Sequence, residues 1–287
     1  MIYDRLGVLT DEVSSGLEEA LDWAAEHNLK HVEIRMVGGV NVMDLSDEQV
    51  LRVRQMTEAR GLYVSVLASP IFKCALDPAR NVLTGDRFGQ EEESVASHFA
   101  MLERSFVIAR LLGTNRIRIF SFWREDMPCR HEADIVAHLR RAAELAEKEG
   151  VVLLLENEPA CNGGFADEVA RYVSLVDHSS MKVLWDPGNE EYGGRSAYPE
   201  GYEAVRDVLA HVHLKDVVLG PDGVPRCVPM GEGRVRYREQ LEALEEDGYT
   251  GLFTFEPHYI PAGGTPMLGV ALALDGLRAV TEEVNSA

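Results

Sequence analysis

Four cysteines in 287 residues, at positions 74, 129, 161 and 227, leave no close pair from which to build a disulfide frame or a thiolate-rich zinc site. A large chain with so little cysteine is expected to be reduced and intracellular. Basic residues are also scarce, 28 lysines and arginines against 48 acids, for a formal charge of −20. No basic stripe is visible, which excludes the usual footprint of a nucleic-acid binder. No apolar run approaches transmembrane length, and Asp4 stands where a signal peptide would be basic and then apolar. The expectation is a cytoplasmic protein with neither membrane nor nucleic acid as partner, acting on small molecules.

What is present is a regular alternation. With 46% hydrophobic residues a sizeable core is expected. Apolar stretches predict strands at 6–9, 31–35, 63–69, 115–121, 151–155, 181–186, 209–216 and 251–256. The run at 151–155 is aliphatic throughout, the pattern of a strand buried on both faces of a parallel sheet. Helical patterns fall between the strands, at 17–28, 46–60, 92–112, 132–150, 167–176, 237–247 and 268–284. Ser46 with Gln49 has the form of a capping box, and Gly61, Gly113 and Gly248 are natural helix stops. Eight strands alternating with helices, with no linker or composition break, predict one α/β domain over 1–287, a (β/α)8 TIM barrel. An open doubly wound sheet is the alternative, weakened by the lack of a GxGxxG turn after the first strand. Residues 70–91 break the rhythm and read either as a lid or as a passive surface insertion.

In such barrels the active site lies at the C-terminal ends of the strands. The ends in the second half of the chain carry Glu156, Asp186, His213 and Glu256, separated by 30, 27 and 43 residues, so each comes from a different strand. A single strand-end acid is more often a loop cap than a ligand. Four in register would form an uncompensated −3 cluster unless a cation sits among them. Three carboxylates and one imidazole suit Mn²⁺, Mg²⁺ or Co²⁺ better than a thiolate zinc site, with Zn²⁺ as a further alternative.

The motifs Leu155-Glu-Asn-Glu-Pro159, Leu184-Trp-Asp-Pro-Gly-Asn189, His211-Val-His-Leu-Lys-Asp216 and Phe255-Glu-Pro-His258 resemble the xylose isomerase-like TIM-barrel superfamily, in its sugar (phosphate) isomerase/epimerase branch. The resemblance covers essentially the whole chain. It implies that Glu156, Asp186, His213 and Glu256 hold one divalent cation, Mn²⁺ first, and that Glu156 and Glu256 are the catalytic acid–base pair. The cation would polarise a carbonyl and a neighbouring hydroxyl and stabilise an enediolate. The two glutamates would remove and return a proton on opposite faces of the same carbon. The expected function is a metal-dependent isomerase or epimerase of a ketose, keto-sugar derivative or sugar phosphate. The alternative is a dehydratase or lyase eliminating a group β to a ketone, on an inosose or 3-keto-glycoside.

Substrate-binding expectations fall on Lys215, Asn189, His258, Glu158 and Arg226. The epimerases place a histidine three residues after the metal aspartate, where this chain has Asn189. After the histidine ligand they offer a glutamate and an arginine, where this chain has Lys215 and, further on, Arg226. For Lys215 a plain ion pair with Asp186 or Asp216 is an equal reading. Arg35 and Trp123 stand near strand ends, and Lys73 and Arg124 complete the charges available to a phosphate. The segment Gly231-Glu-Gly233 reads as a turn rather than a phosphate cradle, because no Walker-type lysine follows it. Self-association is compatible with such a barrel.

Overall fold

The computed structural model describes residues 2–284. Eight parallel strands close into a barrel in sequential order. They are β1 Leu6–Leu9, β2 His31–Ile34, β3 Tyr63–Leu67, β4 Arg116–Ile119, β5 Val152–Glu156, β6 Met181–Trp185, β7 Leu209–Leu214 and β8 Leu252–Phe255. The surrounding helices are α1 Leu17–Glu26, α2 Asp47–Glu58, α3 Val95–Leu112, α4 Glu132–Lys148, α5 Ala166–Val176, α6 Pro187–Tyr192, α7 Tyr237–Glu246 and α8 Pro266–Val284. This is the expected TIM barrel, and the predicted strands all occur.

Local chemistry sets the helix ends. Ser46 Oγ accepts from Gln49 N while the Gln49 side chain reaches back to Ser46 N, the reciprocal capping box anticipated for α2. Gly113 ends α3 at φ 82°, a left-handed conformation that glycine adopts without steric cost. The short α6 was not foreseen. Asp186 caps it by accepting from Asn189 N, and Pro187 occupies its first turn.

The ladders are uneven around the barrel. β5–β6 and β7–β8 each register four residue pairs and β6–β7 three. β3–β4 registers one, Leu67 opposite Ile117. The long 70–91 segment leaves the barrel after β3 and carries no helix or named strand. It is tied down at several points, by Leu83 N donating to Arg124 O, by Asn41 Nδ2 donating to Phe88 O and by Gln90 Nε2 donating to Asp44 Oδ2. Two small hairpins were also missed, Met36–Val37 with Val40–Asn41, and Asp216–Leu219 with Pro225–Val228. Among the described residues no helix is long and apolar enough to cross a membrane.

Candidate metal and acid–base site

Glu156 is the last residue of β5, Asp186 caps α6, His213 lies in β7 and Glu256 follows β8, so all four gather at the C-terminal mouth. One ligand atom from each falls within 4.8 Å of the others. His213 Nδ1 lies 3.0 Å from Glu256 Oε2 and 3.4 Å from Glu156 Oε1. All four are buried.

Asp186 is placed by its neighbours. The Asn157 side chain donates Nδ2 to Asp186 O and accepts from Asp186 N, while Asn189 Nδ2 donates to Asn157 O. Asp186 Oδ1 then accepts from Asn189 N, leaving Oδ2 facing Lys215 Nζ at 2.7 Å as an ion pair rather than an aligned hydrogen bond. Glu156 Oε2 is likewise without a hydrogen bond, although Arg118 Nη1 stands 3.2 Å away. Two buried carboxylate oxygens lacking hydrogen bonds, within a three-acid, one-imidazole set, fit a divalent cation.

The expected uncompensated −3 cluster does not occur. Arg118 Nη1 approaches both Glu156 Oε2 and Glu256 Oε1, the latter at 3.4 Å, and Arg35 Nη1 is 2.8 Å from Glu256 Oε1. Together with Lys215 these place three fixed cations beside three carboxylates. Burial opposes ionisation of Glu256, yet His213 and His258 outweigh it and hold the group well below the carboxylate range. Glu156 is also lowered, with Arg118 as the main counterweight to burial. Asp186 is raised, because burial outweighs Lys215 there.

A small cavity of about 80 Å³ opens onto the cluster, lined by Glu156, Glu256, Lys215, Asn189, Glu158 and His258, with Arg118 and Phe120 behind them. Lys73, Asp86 and Phe88, from the 70–91 segment, close its remaining side. The Phe88 ring covers three cations at once, with centroid distances of 4.7 Å to Arg35, 4.4 Å to Lys73 and 5.2 Å to Arg118. The segment is therefore a wall of the site, not a passive insertion.

Of the sequence-derived substrate candidates, Lys215, Asn189, Glu158 and His258 reach the cavity. His258 Nδ1 is 2.7 Å from Glu12 Oε1. Burial pushes Glu12 up, but His258 and Arg35 outweigh it and hold the acid at about 2. Arg226 does not join the group; it is exposed on the hairpin after β7 and pairs with Asp222. Arg124 pairs with Glu168, and Trp123 is buried with Nε1 on Glu92. At 231–233 the backbone N–H groups of Gly231 and Gly233 wrap the Asp216 carboxylate, so the turn encloses an anion of its own chain. A Cβ on Gly233 would lie 1.9 Å from Asp216 Oδ1, which is why glycine stands there.

Arg118, Glu33, Glu12 and Phe88 were not foreseen. Arg116 and Arg118 alternate on β4, as do His31 and Glu33 on β2, and charged residues at period two inside a buried strand mark the barrel interior. That signal was in the sequence. Which of them meet across the barrel was not.

The family model described as "Xylose isomerase-like TIM barrel" matches residues 21–280. L-ribulose-5-phosphate 3-epimerase UlaE of Salmonella heidelberg (strain SL476) is 23% identical, the match covering 95% of this chain and 96% of the relative. Among solved structures, the IolI protein with a bound zinc atom superposes with TM-score 0.74 at 18% identity, over 97% of this chain and 98% of the other. The probable 3-DHS dehydratase AsbF of Bacillus anthracis superposes with TM-score 0.72 at 17% identity, over 96% and 98%. With a family match that spans most of its length, this chain belongs to the xylose isomerase-like TIM-barrel family.

Proposed function

We propose that the chain is a divalent-cation-dependent epimerase or isomerase of a ketose, a keto-sugar derivative or a sugar phosphate. The observation that carries this reading is the pair Glu156 and Glu256. Both open onto one cavity, both are held ionised, and Asp186 and His213 lie within ligand range of them. Glu156, Asp186, His213 and Glu256 would hold the cation, with Mn²⁺ preferred and Mg²⁺, Co²⁺ or Zn²⁺ as alternatives. When bound, the ion acts as a Lewis acid on vicinal carbonyl and hydroxyl oxygens.

The rest of the chemistry belongs to the chain. One glutamate takes the proton α to the carbonyl and the other returns a proton to the opposite face, so the configuration inverts at that carbon. The bound epimer decides which glutamate acts first. Arg118, near both carboxylates, keeps them available as bases. Lys215 and His258 offer cationic donors to substrate oxygens, with Asn189 and Glu158 on the same wall. Phe88 and Phe120 exclude water from the enediolate, which would otherwise be reprotonated without facial control. The 3-epimerase named among the relatives supports this reading. The partner is then a small sugar, the domain is the whole of 1–287 and the location is cytoplasmic.

A second reading is elimination of a group β to the ketone. It needs the same base and cation, and the Lys215 ammonium on the cavity wall would face a departing oxygen. The likeness to a probable dehydratase keeps this reading in view.

The separating experiment incubates the Mn²⁺-loaded protein in D₂O with ketoses, their phosphates, 3-keto-glycosides and inososes, followed by NMR. Deuterium incorporation with every oxygen retained supports epimerase or isomerase. Loss of a hydroxyl or aglycone supports the lyase. The absence of exchange across the panel would sink the proton-transfer mechanism.

A further inference from the structure

Glu33 takes no part in the reaction proposed above, yet it is a fully buried carboxylate in the middle of β2. Such a group is costly to bury unless it is paired and hydrogen-bonded. Its partners are two histidines of β7. Glu33 Oε1 lies 2.7 Å from His211 Nε2, and both of its oxygens lie 3.3 Å from His213 Nε2. His211 Nε2 is also 2.9 Å from Thr254 Oγ1 on β8. The trio could be taken for a second cation site, since its ligand atoms fall within 4.8 Å of one another. Those atoms, however, already face one another at hydrogen-bond distance.

The two nitrogens of His213 point in different directions. Nδ1 faces Glu156 and Glu256, whereas Nε2 faces Glu33. For Nδ1 to offer a lone pair to a cation, the ring proton must reside on Nε2. An acceptor at Nε2 fixes that tautomer and the ring plane together. We infer that Glu33 is the positioning residue of the site, holding His213 as the Nε2–H form with Nδ1 aimed into the ligand cluster. His211 faces the Glu33 carboxylate in turn, and Thr254 Oγ1 stands against the same His211 nitrogen. The inference rests on the divalent-cation reading given above and adds a residue that never touches cation or substrate.

The test is cation affinity, which needs no substrate. Mn²⁺ binding is measured by calorimetry on the full chain and on Glu33→Gln and Glu33→Asp, with thermal melts of each as a control for folding. Glu33→Gln is expected to bind Mn²⁺ about 10–100-fold more weakly than the parent, and Glu33→Asp to fall between them. A folded Glu33→Gln variant with parental affinity overturns the inference, even with a lowered melting temperature, because that is the signature of a merely structural role. If the parent itself takes up none of Mn²⁺, Mg²⁺, Co²⁺ or Zn²⁺, the divalent-cation reading falls, and this inference with it. Should the variants not fold, ¹⁵N-histidine spectra of the Zn²⁺-loaded parent decide the matter. His213 protonated at Nε2 is the expected result, and protonation at Nδ1 overturns the inference.

Discussion

Lys215 Nζ stands 2.7 Å from Asp186 Oδ2, one of the two oxygens of the ligand set that carry no aligned hydrogen bond. The ammonium therefore occupies the neighbourhood in which a divalent cation would be bound. A cation held as proposed would compete with the lysine for this one carboxylate, and the balance between them is measurable.

Replacing Lys215 by methionine leaves Asp186 buried without its counter-charge. The chelator-treated variant should lose roughly 3 kcal/mol of stability, as expected for breaking a buried pair. Adding Mn²⁺ should then raise its melting temperature more than it raises the parent's. Equal shifts in the two proteins, with and without Mn²⁺, would show that the lysine and the cation do not compete.

Glu156→Gln and Glu256→Gln each remove one of the two proposed proton carriers. Each should lower kcat for the epimerisation at least about 100-fold. Deuterium exchange at the reacting carbon, assayed in D₂O, checks the assignment. Full activity in Glu256→Gln would exclude a mechanism with two bases.

Phe88→Ala strips the ring from Arg35, Lys73 and Arg118. KM is expected to rise roughly tenfold while stability changes by about 1 kcal/mol or less, because the ring belongs to a loop and its energetic role is cation–π cover. Steady-state kinetics and urea melts test the two halves separately. A wild-type KM would return the 70–91 segment to the status of a surface insertion.

Glu190 offers a pH signature outside the ligand set. Burial pushes its carboxyl up from 4.5 to about 7, against the N–H of Ala166 that favours the ionised form. Below the unfolded value both states are protonated and the group contributes nothing. Between about 4.5 and 7 the unfolded carboxylate is ionised while the buried native one stays protonated, so stability falls across that window and levels off once the native group also ionises above about 7. Glu190→Gln should remove this decline, leaving the variant more stable than the parent by about 3 kcal/mol at pH 8 and equal to it near pH 4.5. Urea unfolding at the two pH values reads the difference directly.

The barrel was legible because Val151 to Leu155 and its counterparts are apolar runs of strand length punctuated by glycine and proline. The proposed ligands were legible because Glu156, Asp186 and Glu256 each close such a run, and His213 stands near the end of its own. Asp186-Pro187 carries a helix-start signal as well, a capping acid before a first-turn proline, laid over the end of a strand. The hairpin at 36–41 pairs just two residues on each side, too few for any alternation to register. Arg118 shows the deeper limit. Its position on the inner face of β4 follows from period two, but its approach to Glu256, 138 residues away, follows from barrel closure alone.

The four proposed ligands hang from β5 to β8, whose ladders each register three or four residue pairs, while the 70–91 wall springs from β3 beside a seam closed by a single residue pair. Lys73, Asp86 and Phe88 thus reach the cavity from the half of the ring opposite the proposed ligands, while Lys215, Asn189, Glu158 and His258 line it from the ligands' own half. Under the proposed function, substitutions at Lys73, Asp86 or Phe88 would reshape the cavity from outside the strands that carry the ligands, and one chemical chassis could serve sugars of different shape.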